Sequence, residues 1–175
     1  MHNDVKKFSI SILALVTYPL ISNAADNQSP ISTPKGDLKI HHNEALQVKQ
    51  SDEVCAVTVG DEIAFIDKCS GEYSPTIIGR FKKILPNKEE SMIVVIQRQP
   101  GGNACNGGPL IVIEATKNYT TTSLPLDFCG GADTVITPNA KGIMITFPGG
   151  APNRGSGYIP TEKYQYQGGF ISKLR

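Results

Sequence analysis

Past Ala24 the chain has no apolar run to rival the one at its start, and no cysteine follows that first run closely. The first absence leaves no second candidate for a membrane span, which needs roughly 20 apolar residues. The second excludes the pattern of a lipid-anchored lipoprotein. A surplus of positive charge is missing as well. Of 17 Lys+Arg and 16 Asp+Glu, Lys6, Lys7 and Asp4 fall in the first 24 residues, which leaves 15 of each sign in the rest. A chain so close to neutral does not build the basic field that nucleic acid or an anionic membrane requires. The cysteines do not come as C-x-x-C pairs and have no histidine near them, so they do not read as a zinc site. There is no internal repeat of fixed period. The spacing of the G-x-S-x-G nucleophile elbow is missing around Gly155-Ser156-Gly157.

What is present begins with an export address. Lys6 and Lys7 precede a run from Phe8 to Ile21 that is apolar apart from Ser9, Ser11 and Thr17. Ser22-Asn23-Ala24 then places small residues where a signal peptidase reads. This order of charge, apolar run and small residues is that of a secretory signal peptide. Residues 1–24 are therefore expected to be removed, and the product is expected in the periplasm or secreted, without membrane insertion. Residues 25–36, polar with two prolines, read as a flexible leader. Residues 37–175 suit one exported β-rich domain.

Short β-branched and aromatic runs separated by turn residues predict a mainly β fold: an antiparallel sandwich, barrel or meander, with at most one short helix near 75–85. That segment fits either a helix face (Ile77, Ile78, Phe81, Ile84, Leu85) or a strand. Met92 to Gln97 reads as a buried strand. A three-residue turn at 60–62 would set Val59 opposite Ile63, Val57 opposite Phe65 and Cys55 opposite Asp67. A three-residue turn at 116–118, with Asn118 left-handed, would pair Ala115 with Tyr119 and Leu110 with Leu124. Extended further, that register sets Cys105 opposite Cys129. Four cysteines in an oxidising compartment predict two disulfides. Three pairings are possible, and register favours Cys55–Cys69 and Cys105–Cys129. A third hairpin is expected from Thr134–Thr137 and Ile143–Phe147, followed by terminal strands holding Tyr158, Tyr164, Tyr166, Phe170 and Ile171.

No motif identifies a reaction, and no catalytic residue, metal ligand or cofactor is assigned. His41 and His42 are adjacent, so in a strand they point to opposite faces and do not share one ion, even with Asp37 or Glu44 nearby. A triad of Ser156, His42 and Asp133 can be written down but lacks any supporting context. Glu44, Asp61, Glu62, Asp127 and Asp133 are the acids a hydrolase would draw on. Asn27-Gln28-Ser29 and Asn118-Tyr119-Thr120 match glycosylation acceptors, which matters only in a eukaryotic host. The long Gly/Pro segment from Pro148 to Gly157 is more informative. It is too long for a tight hairpin, and Arg154, Ser156 and the adjoining Tyr158 make it a candidate partner-binding loop.

In build, with a signal, one β domain, paired cysteines, near-neutral charge and a projecting loop, the chain resembles the periplasmic inhibitor and immunity proteins that block lysozymes or rival cell-wall enzymes. The S-G-x-x-Y element of some lysozyme inhibitors is not matched, because Pro160 stands where the tyrosine belongs after Ser156-Gly157. The resemblance implies a non-enzymatic inhibitor or immunity-type protein whose partner is another envelope or secreted protein. It does not set the oligomeric state. The alternatives are a secreted hydrolase using loop carboxylates, and a carbohydrate-binding or envelope structural module using the tyrosine-rich end.

Overall fold

The computed structural model describes residues 29–42, 54–68, 75–98, 108–129, 131–152 and 155–175. The signal segment, Cys69, Cys105 and Arg154 lie outside the described residues, as does Glu44.

Among the described residues, twelve strands form three four-stranded antiparallel sheets, each a meander in chain order. The first sheet holds β1 (Ile31–Thr33), β2 (Gly36–His42), β3 (Val54–Val59) and β4 (Glu62–Lys68). The second holds β5 (Thr76–Ile84), β6 (Glu90–Gln97), β7 (Leu110–Thr116) and β8 (Thr120–Thr122). The third holds β9 (Val135–Asn139), β10 (Gly142–Phe147), β11 (Glu162–Gln167) and β12 (Phe170–Lys173). None of the sheets closes into a barrel. The ambiguous 75–85 segment is a strand, with a bulge between Ile77 and Gly79. Within residues 25–36, Ile31–Thr33 form β1, and Ile31 is buried and pairs with Leu38.

The second sheet lies between the other two. Met92, Val94 and Ile96 of β6, with Ile111, Ile113 and Ala115 of β7, pack against Leu38, Val57 and Val59 of the first sheet. Ile93, Val95, Leu110 and Val112 face the opposite way, onto Ile143, Ile145, Phe147 and Tyr166 of the third. Side chains alternate faces along a strand. Strands covered on both sides must therefore be apolar at nearly every position, which is why Met92–Ile96 and Leu110–Ile113 read as unbroken runs. Each fully buried Ile or Val contributes about 1.5–3 kcal/mol.

Two expected registers are corrected. The β3–β4 turn has two residues, Gly60 and Asp61, so Val59 pairs with Glu62 and Thr58 with Ile63. A bulge that leaves Ala64 unpaired then restores the expected Val57–Phe65 and Cys55–Asp67 pairs. Gly60 takes φ +57, a conformation that costs glycine no steric penalty. The β7–β8 turn also has two residues. Thr116 closes it on Tyr119, the Thr116 hydroxyl accepts the amides of Asn118 and Tyr119, and Asn118 is not left-handed. Ala115 therefore pairs with Thr120. Beyond β8, the Ser123 hydroxyl accepts the Val112 amide at 2.9 Å in place of a backbone carbonyl, and Leu110 pairs with Leu126. Leu110 is thus two residues away from its expected partner, and the register argument for Cys105–Cys129 no longer holds. In the third hairpin the turn is Ala140-Lys141, and Pro138 sits within β9, an edge strand that tolerates the missing donor.

Cys55 is buried, and among the described residues no cysteine is free. Cys55 and Cys129 are both disulfide-bonded. Cys69 and Cys105 lie outside the described residues, so the pairing stays a proposal.

Candidate functional site

The segment between β10 and β11 is an anchored loop. At its root the Gly150 and Ile159 amides each donate to the other's carbonyl, at 2.9 and 2.8 Å. The Ala132 amide donates to Gly149 O at 2.9 Å, and the Thr161 hydroxyl donates to Pro148 O. Backbones approach so closely here that a Cβ on Gly149 would lie 2.2 Å from Ile159 O. With φ +74 as well, only glycine suits that position. The tip is different in kind. A Cβ on Gly155 or Gly157 would meet nothing within 4 Å, Ser156 is exposed, and Tyr158 is 73% exposed. Close, bonded ends with exposed residues between them are features of an Ω-loop. Tyr158 is not in a terminal strand as expected; it is the aromatic of this tip.

The other tyrosines separate from it. Tyr166 is fully buried, whereas Tyr164 is half-buried on β11, edge-on to Phe147 at 5.7 Å, with Phe147 stacked on Phe128 at 4.3 Å. Tyr158, Tyr164 and Tyr166 therefore do not share one exposed face.

Nor do the acids come together as a site. Asp61, Glu62, Asp127 and Asp133 are exposed, and Glu62 pairs with Lys35 at 2.7 Å. His41 Nε2 lies 3.0 Å from the Thr58 hydroxyl, and the His42 backbone pairs with Cys55. Among the described residues, no group of three His, Cys, Asp or Glu is gathered to hold a metal ion.

Sequence reasoning missed the one acid among the described residues that is deeply buried. Glu114 in β7 is 2% exposed and faces the third sheet. Ser91 donates to its Oε1 at 2.7 Å and Tyr166 donates to its Oε2 at 3.0 Å. Thr121 Oγ1 lies 3.4 Å from the Tyr166 hydroxyl. Burial, first of all, pushes the Tyr166 phenol well above its ordinary range, and the Glu114 charge adds to this. Both carboxylate oxygens are satisfied and closed off from solvent, so Glu114 joins two sheets and is out of reach of a substrate. The signal in the sequence was a lone acid in an otherwise apolar strand, Leu110-Ile-Val-Ile-Glu-Ala-Thr116.

At the far end of β11 a second polar group is exposed. Tyr164 donates to Glu162 Oε2 at 2.6 Å, and Lys173 donates to Glu162 Oε1. The Lys173 hydrogen bond is the main reason the Glu162 carboxyl falls below its usual range, and the same bond raises the lysine.

Compared with family models, curated proteins and solved structures, the chain matches none.

Proposed function

We propose that this chain is a small exported, non-enzymatic β-rich binding protein that engages another envelope or secreted protein, in the manner of an inhibitor or immunity protein. Its contact element is the 148–160 loop, with Arg154, Ser156 and Tyr158 as contact residues. The observation that carries the reading is the contrast within that loop: the Gly150–Ile159 bridge fixes its root, while Ser156 and Tyr158 stand free at its tip. A fixed root lowers the ordering cost of binding, and an exposed tyrosine brings large contact area with few rotatable bonds. The cysteines stiffen the scaffold as Cys55–Cys69 and Cys105–Cys129. The hydrolase reading has less support, since Asp61, Glu62, Asp127 and Asp133 are solvated, Asp67 and Glu162 are ion-paired, and Glu114 is already used by two hydroxyls.

The test is affinity capture from the native envelope, followed by calorimetric titration of the captured protein. An Arg154→Ala/Ser156→Ala variant and a Tyr158→Ala variant should each bind roughly tenfold more weakly or worse, a loss of about 1.4 kcal/mol. Unchanged affinity in both variants removes the loop as the contact element.

A further inference from the structure

An open cleft of about 630 Å³ lies between the chain leaving β8 and the β11–β12 hairpin. It exists because β8 has only three residues. The central sheet therefore stops short, while β11 and β12 continue to present inward-facing side chains beyond it. Leu124, Pro125 and Leu126 line one side, and Tyr164 and Ile171 line the other. Leu124 is 86% exposed on the rim. Lys173 is the one charged residue among the lining residues.

We propose that this cleft binds a small amphiphile: an apolar chain held between Leu124 and Ile171, with a single anionic head at Lys173. Three observations carry this. The volume falls in the range of ligand sites, roughly 300–1,000 Å³, and an apolar wall with few polar groups is their usual lining. Lys173 brings the only formal charge on the lining, and its ion-pair partner Glu162 lies outside the lining residues. Lys173 gives one hydrogen to Glu162, and an ammonium carries three, so donors remain for an anionic head. The apolar lining of the cleft is also far smaller than the face a stable dimer covers, about 800 Å² per partner. The Tyr164–Glu162–Lys173 arrangement holds the lysine at the mouth, with its ammonium 5.8 Å from the centre of the Tyr164 ring.

Decanoate is the probe, titrated calorimetrically into the full mature chain, with decanol and decyltrimethylammonium as head-group controls. Decanoate should saturate one site. Leu124→Glu should weaken it roughly tenfold or more. Because Leu124 is exposed, the thermal midpoint of that variant should not move. Lys173→Gln should weaken decanoate by roughly fivefold and leave decanol unchanged. The proposal is overturned if decanoate shows no saturable binding, if Leu124→Glu binds it as well as the parent does, or if decyltrimethylammonium binds as tightly as decanoate. Loop variants at Ser156 or Tyr158 should leave decanoate binding intact, so this site and the loop can fail separately.

Discussion

At the scale of single residues, Glu114 and Tyr166 set the terms on which the central sheet meets the third. The carboxylate is buried, and its two hydroxyl donors are the only described partners of its side chain. Glu114→Ala leaves Ser91 and Tyr166 without their acceptor, and each unmet buried group costs about 1–3 kcal/mol. The expected loss in a urea titration is about 2–6 kcal/mol, and a loss below about 1 kcal/mol would show that water replaces the carboxylate easily. Tyr166 gives a pH signature. Its phenol in the folded chain holds its proton above the ordinary value, so its contribution is complete below about pH 10, where unfolded tyrosine is still protonated. The contribution fades as pH rises further, because the unfolded chain releases that proton first. The parent should therefore lose stability above about pH 10 more steeply than Tyr166→Phe. Parallel profiles would contradict the assignment.

At the scale of elements, burial on both faces marks β6 and β7, and β3 shares it except at half-buried Thr58. Ile113→Ala removes a side chain packed between sheets and should cost about 2–5 kcal/mol in chemical denaturation. Ile63→Ala on β4, where the side chain is 53% exposed, should stay within about 0.5 kcal/mol. Comparable losses would mean that the two layers do not meet as described. The same contrast explains what the sequence could tell. Met92–Ile96 and Leu110–Ile113 were legible because a run that is apolar on both faces has few other uses. Their partners' registers were not legible. The missing residue in the Thr116–Tyr119 turn and the Ser123 hydroxyl on Val112 are one-residue events that leave the hydrophobic pattern unchanged. The 75–85 strand was ambiguous for a related reason, since a bulge at Ile78 breaks the alternation that would have excluded a helix. The loop site was legible as glycine and proline content, whereas its bonded root required the backbone pairing of Gly150 with Ile159.

At the scale of the whole molecule, the chain stacks three meanders so that their last strands lie towards one side. Thr122 of β8 donates to Ala64 of β4, and Gly169 before β12 approaches Thr121. Arg98, just after β6, grips both oxygens of Asp67 on β4, so an ion pair adds to the apolar contact between the first and second sheets. Asp67→Ala should lower stability by about 1–3 kcal/mol, with the loss partly retained in high salt because the Asp67 side chain is only 8% exposed. A loss abolished by salt would place that pair effectively in solvent. The stack is the frame that roots the loop we propose as the contact element. That proposal is tested most directly by placing a photo-crosslinking residue at position 158, with position 117 in the β7–β8 turn as the control, and irradiating in cells. The account predicts one discrete protein adduct from position 158 and none from position 117. Adducts of equal yield from both positions, or none from 158, would contradict it.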